Sequence, residues 1–306
     1  SAASDVVRAR RLMVFGLVLP MIVAVVAASG AAWVQRRLRP DWATWTLTVL
    51  SVGAALAVLW ALTVLAAGYA AEQPRLAGAI GWCHVLFTSH DRVPAPLGIG
   101  AWAALAASAV SVRARVRARR ATLRMTHDDV ARSSAPMAYA VPGRPGRVIV
   151  SEGMLNTLDS AERRVLYAHE HSHLRRHHHR FRQVADIAAA AVPLLSPLNR
   201  QVRFATERWA DEDAVNEVGD RRLVARAVAR AALAASDSDL GPAALGINGS
   251  GARGRVEALM APPTGFAAAT VAWVSLGMAG LVISVAGSTV QFHHLVAFLL
   301  HICGLD

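Results

Sequence analysis

The stretch Asp159-Ser160-Ala161-Glu162-Arg163-Arg164-Val165-Leu166-Tyr167-Ala168-His169-Glu170-His171-Ser172-His173-Leu174-Arg175-Arg176 decides how this chain is read. Asp159 with Glu162 three places on is a capping-box signal, so a helix is expected from there to about Arg176. Within it, His169, Glu170 and His173 form an H-E-x-x-H. Residues four apart share one helical face, so both imidazoles can reach a single metal ion. Glu170 lies about 100° round the helix, beside such an ion rather than on it, where a general base belongs. Val165 and Leu166 suit a helix buried in a domain, and His171 reads as a bystander. The competing reading is an accidental match on a solvated, Arg- and His-rich face. The position of the motif in the chain's one long polar stretch, just after a strand pair, argues against it.

That strand pair is Met137–Val141 and Arg147–Ser151, joined by the turn signal Pro142-Gly143-Arg144-Pro145-Gly146. Downstream, a second helix is expected over about 181–192, stopping near Pro193 and Pro197, and a third from near Asn199. Zinc needs a third protein ligand, and two residues compete. His179 has the spacing of H-E-x-x-H-x-x-G-x-x-H, but Arg176 stands where that pattern needs a turning glycine. Glu207 shares a helical face with Asp211, so Glu207 can bind zinc while Asp211 steadies a ligand imidazole from behind. Glu207 is preferred, and neighbouring Phe204, Trp209 and Ala210 favour part burial of that face. The His177-His178-His179 run reads as a solvated helix end rather than a second metal site.

The composition sets the surroundings. The chain has 306 residues, 54% hydrophobic and 17% charged, with a mean hydropathy of +0.36. Soluble domains are about a quarter charged. Residues 43–71 and 258–305 hold no Asp, Glu, Lys or Arg. Disorder, collagen and a disulfide-stapled miniprotein are excluded, and two cysteines cannot build a four-cysteine zinc knuckle. The net charge of +11 comes from arginine alone. With long apolar runs present, anionic lipid is a simpler partner than nucleic acid, for which no binding signature is visible.

A span needs about 20 apolar residues. Residues 12–34, 45–71, 93–112 and about 265–287 meet this or come close, with Trp42 and Trp45 as interfacial aromatics. The first run is too long for a signal peptide and shows no cleavage site. Arg113, Arg115, Arg117, Arg119 and Arg120 after the third run, with Arg36, Arg37 and Arg39 after the first, place those ends in the cytoplasm; Arg8, Arg10 and Arg11 disagree. The expected fold is a mainly α membrane protein of four transmembrane helices, with an α+β zincin-like peptidase domain inserted between the third and fourth. The divisions are 1–112, a three-span region; 113–262, the cytoplasmic domain; and 263–306, the fourth span and a short exoplasmic tail. The Arg113–Arg120 run, opening a helix that reaches about Ala131, reads as a topology anchor, with a docking surface for an acidic partner as the alternative. Cys83 and Cys303 both fall outside on this topology and form a candidate disulfide, against two buried free thiols. Residues 290–303, with His293, His294 and His301, read as an interfacial helix or a lid that could join loop 76–89 in a small sensor.

Beyond these readings the chain resembles the BlaR/MecR-type integral-membrane gluzincins, and more distantly the Ste24/HtpX-type membrane peptidases. The resemblance rests on Pro136–Ala140 with Val148–Gly153, on Leu158 and Glu162 leading into His169–Arg176, on Glu207-Arg208-Trp209-Ala210-Asp211, and on the closing Arg255-Val256-Glu257-Ala258-Leu259. Three departures stand out. Only Ser288–Asp306 follow the fourth run, so no penicillin-sensor domain is expected. His177–His179 occupy the neighbourhood where the family often has an Asp. Asn248–Gly254 lacks the His of the Ste24/HtpX relatives.

The resemblance implies zinc-dependent peptide hydrolysis at the plasma membrane. One zinc ion on His169, His173 and Glu207 would polarise the scissile carbonyl, with Glu170 as base and Asp211 behind. Ala138, Tyr139 and Ala140 would bind substrate by strand addition. Arg253, Arg255 and His178 are weak candidates for an oxyanion helper, and a solvated role is expected for each. The implied substrate is a cytoplasmic regulator such as a BlaI-type repressor. A quality-control protease and a non-catalytic signalling scaffold are the alternatives. The expected partners are a protein substrate, the lipid bilayer and a second copy in a homodimer, with no direct nucleic-acid binding.

Overall fold

The computed structural model describes residues 2–71, 73, 93–122, 132–236 and 249–261, with nine positions between 272 and 283. Cys83, Cys303, loop 76–89, the tail and most of the fourth apolar run lie outside the described residues. The elements are α1 (Ala2–Arg37), α2 (Pro40–Ala71), α3 (Ala95–Thr122), β1 (Ala138–Val141), β2 (Arg147–Val150), α4 (Glu152–Thr157), α5 (Ser160–Arg175), α6 (His178–Ala191), α7 (Ser196–Val218), α8 (Arg221–Ser236) and α9 (Gly249–Met260).

Helices α1, α2 and α3 are long and apolar enough to cross a membrane. Their contact faces are rich in alanine (Ala24, Ala27, Ala31, Ala43, Ala54 and Ala57 are buried), which lets backbones approach where lipid gives no hydrophobic drive for packing. Hydroxyls in α2 are satisfied locally: Thr44, Thr48 and Ser51 donate to carbonyls four residues back at 2.7–2.8 Å. Trp102 of α3 donates to the Ala66 carbonyl of α2 at 3.0 Å. The arginine-rich segment does not start a new helix, because α3 continues unbroken from its apolar half through Arg120. Val274, at a described position of the fourth run, packs on the same core as α1 and α2.

The sheet is the hairpin β1–β2, antiparallel with Ala138 opposite Val150 and Val141 opposite Arg147. Ser151 closes it. Its hydroxyl donates to the Ala135 carbonyl at 2.6 Å and accepts from the amides of Met137 and Met154, so one side chain ends the strand and caps α4.

Helix α5 begins with the capping box: Asp159 accepts from the Glu162 amide at 2.9 Å and Glu162 from the Asp159 amide at 3.1 Å. The Glu162 carboxylate is fully buried and also takes Arg226 and Arg230 of α8 at 3.0 and 2.7 Å. At the other end Asp213 of α7 accepts from Ser172, Arg175 and Arg176. Both ends of α5 are therefore tied to neighbouring helices by charge-assisted bonds.

A second core joins α5 (Val165, Ala168) to α7 (Ala214), α8 (Val224, Ala225, Val228) and α9 (Leu259). The largest core has a different membership. It unites α1 and α2 with Ala185, Ala188 and Ala191 of α6, Leu195 in the connecting 3-10 turn, and Leu198, Val202 and Ala205 of α7. The α6–α7 hairpin thus packs among the membrane helices. Ser108 of α3 donates to the Ala191 carbonyl at its tip at 2.6 Å.

Candidate metal centre

The chain turns between α5 and α6 at His177, which takes the left-handed conformation (φ 53°). No glycine is used. A Cβ costs about 1–2 kcal/mol there, and the turn brings α6 back along α5. It also delivers a different histidine from the one the spacing singles out. His178 is completely buried, whereas His179 is half-buried at the cavity wall and does not join the ligand cluster.

His169, His173 and Glu207 each offer one ligand atom within 4.8 Å of the others. The His169 and His173 Nε2 atoms are 3.1 Å apart. Glu207 Oε2 lies 3.5 Å from the first and Oε1 lies 3.6 Å from the second. Tetrahedral zinc with bonds of about 2.0–2.1 Å needs ligand atoms roughly 3.3 Å apart, and each imidazole stands near that distance from its own oxygen of Glu207. The donor set, two imidazoles and a carboxylate, suits it as well.

The surroundings fix the ligands. Asp211 Oδ1 stands 3.0 Å from His169 Nδ1 and turns the other nitrogen towards the cluster. Arg255 binds Asp211 at 2.8 and 2.6 Å and Glu207 at 3.0 Å. Arg182 donates to the other oxygen of Glu207. His178 backs the second ligand, with its Nδ1 2.8 Å from that of His173 and its ring against Trp209. For His173 to present a free Nε2, its Nδ1 must carry the proton and donate it to His178.

The electrostatics agree. Burial, helped by Arg182, holds His173 well below the usual histidine range, leaving it neutral as a ligand must be. Burial likewise pushes His178 down to about 3. On His169 burial lowers the pKa, but the bonds to Asp211 and Glu207 outweigh it and lift the group to about 9. Carboxylates that draw a proton there draw any cation. Burial would raise Glu207, yet Arg182 and Arg255 hold it well below the ordinary carboxylate range. Glu170, nearly buried, is raised by burial first of all.

A cavity of about 330 Å³ opens onto this cluster. Its walls include Glu170, the metal-ligand candidates, and Ala138, Tyr139 and Ala140 of β1. Arg119 of α3 reaches the same cavity. His171 is exposed. Among described residues β1 pairs only with β2.

The sequence model of Peptidase family M48 matches residues 106–260, just over half of the chain. The chain belongs to peptidase family M48. Its members are zinc metallopeptidases, so this M48 peptidase is a metal-dependent hydrolase, and its three apolar helices associate it with a membrane. No curated protein and no solved structure matches it.

Two expectations need correction. His178 is not a solvated helix end but a buried support for His173. Arg255 is not solvated either: it is 7% exposed and neutralises Asp211 and Glu207 together. Arg253 is exposed and pairs with Glu257. Arg182 was not singled out, and one arginine among so many leaves no signal. The apolar spacing of Ala185, Ala188 and Ala191 after it is the only hint that α6 has a buried face.

Proposed function

We propose that this M48 peptidase is an integral-membrane zinc-dependent endopeptidase in which His169, His173 and Glu207 hold the ion. The convergence of one ligand atom from each residue, all within 4.8 Å of one another, carries the reading. When bound, such an ion polarises a peptide carbonyl and makes water a better nucleophile. Glu170 takes the proton of the attacking water and returns it to the leaving amine; its burial-raised pKa brings it nearer the working pH of a general base. Asp211, itself gripped by Arg255, keeps the His169 ring in place. The edge of β1 at Ala138–Ala140, unpaired among the described residues, aligns an extended substrate by main-chain bonding.

Replacing Glu170 by Gln should leave metal content unchanged and reduce proteolysis by about 10²- to 10⁴-fold. Zinc analysis beside a peptide-cleavage assay reads both, and a variant that cleaves at the normal rate removes Glu170 from this role.

The substrate is a cytoplasmic regulator such as a BlaI-type repressor, with the peptidase domain on the cytoplasmic side of the plasma membrane. The likeness to the BlaR/MecR gluzincins and the arginines flanking the spans support this. One observation favours a second reading, quality control of membrane proteins: the cavity wall includes Arg119 of α3 and Asp186 and Arg203 of the hairpin, so the cleft stands beside the membrane helices. Purified protein incubated with a repressor and with unfolded membrane proteins, with and without chelator, separates the two. Chelator-sensitive cleavage of the repressor alone supports signalling, cleavage of many chains supports quality control, and none points to a scaffold.

A further inference from the structure

A second cavity, about 1080 Å³, lies behind Glu207, between the α1–α2 turn, α7 and α9. Nine arginines line it against four carboxylates. Most of these arginines are already neutralised: Arg182 and Arg255 by Glu207, Arg221 by Glu212, Arg203 by Asp186, Arg176 by Asp213 and Arg39 by Asp41. Three are not. Among the described residues, Arg36, at the end of α1, and Arg200, near the start of α7, form no salt bridge with a carboxylate, and neither does Arg208.

Arg208 is the telling one. It is 8% exposed, its Nη1 donates to the Gln35 carbonyl at 2.7 Å, and its Nε finds no acceptor among the described residues. The adjacent acids are taken, Glu212 by both terminal nitrogens of Arg221 and Asp211 by Arg255. Gln35, 2% exposed, lines the same cavity, and among the described residues its amide nitrogen also lacks an acceptor. Glu212 and Asp211 act on Arg208 through space without bonding it; a buried guanidinium that no carboxylate grips is costly, and buried donors without acceptors add to that cost. Donors of this kind suit an anion rich in acceptor oxygens.

We propose that this cavity binds a phosphate oxyanion through Arg208, Arg36 and Arg200. Its place identifies the carrier. The apolar span of α1 ends at Arg37 and that of α2 begins at Pro40, so the cavity stands where hydrocarbon gives way to headgroups. Basic pockets at that level hold anionic lipid headgroups, and the carrier is a phospholipid.

The test uses the full chain, delipidated in a phosphate-free detergent and followed by native mass spectrometry. It is titrated in separate arms with phosphatidylglycerol, with diacylglycerol and with inorganic phosphate. One phosphatidylglycerol per chain is expected, without diacylglycerol binding, and R208M should weaken it at least tenfold. Because R208M removes a buried charge and can perturb folding, the paired exposed variant R36Q/R200Q is read beside it, with an expected loss of severalfold at unchanged zinc content. Inorganic phosphate binding with the same dependence on these arginines supports the oxyanion site and transfers it from lipid to free phosphate. Absence of binding in both phosphate arms, or equal binding by wild type and R36Q/R200Q, overturns the proposal.

Discussion

Helices α5 and α6 follow one another with only Arg176 and His177 between them, yet they join different cores. Helix α5 is held by charge: a capping box and two arginines at its start, Asp213 at its end. Helix α6 is held by methyl groups, with Ala185, Ala188 and Ala191 against α1, α2 and α7. The contrast teaches that the metal centre is a seam. His169, Glu170 and His173 stand on the water-side core, whereas Glu207 stands on α7, whose first half belongs to the membrane bundle.

If the seam is real, damage on the two sides should have different signatures. Truncating Leu195, completely buried at the hairpin tip, to Ala should cost about 2–5 kcal/mol, read as a lower unfolding temperature in detergent. An unchanged unfolding temperature would show that the hairpin is not part of the bundle's core.

The junction itself is tested by His178. Replacing it by Ala removes the partner of His173 Nδ1 and should weaken zinc binding by about 10- to 100-fold, measured by competition with a chromogenic chelator. His178→Asn, which keeps an acceptor, should recover part of that loss, whereas a merely space-filling role would give equal losses in both.

The smallest effect is expected at Ser108, whose hydroxyl reaches the Ala191 carbonyl. Ser108→Ala should cost about 1 kcal/mol, with unchanged zinc affinity. A shift in zinc affinity there would mean that α3 and the metal centre are not separable.

Much of α5 was legible because its determinants are local. A capping residue, its reciprocal Glu162 and the four-residue spacing of the histidines all lie on one short stretch, and the turn signal between β1 and β2 is likewise written in adjacent residues. The hairpin's allegiance was harder to see. Residues 181–205 mix Arg182, Asp186, Asn199 and Arg203 with alanines and leucines. Three of the polar side chains pair among themselves, Asn199 and Arg203 binding Asp186 at 2.8 and 2.6–2.7 Å, so composition hides an apolar face. The roles of His178 and Arg255 depend on a left-handed turn and on a contact across 44 residues, neither of which has a sequence pattern of its own.

The mixed membership of α7 has a mechanical consequence. Its early residues Leu198 and Val202 are clamped among α1 and α2, and about one and a half turns beyond Val202 it presents Glu207 to the histidines of α5. A helix this short between two grips is stiff, so a tilt of α1 against α2 is not absorbed along the way. Such a tilt would carry through to the Glu207 carboxylate and change its distance from the two imidazoles of α5.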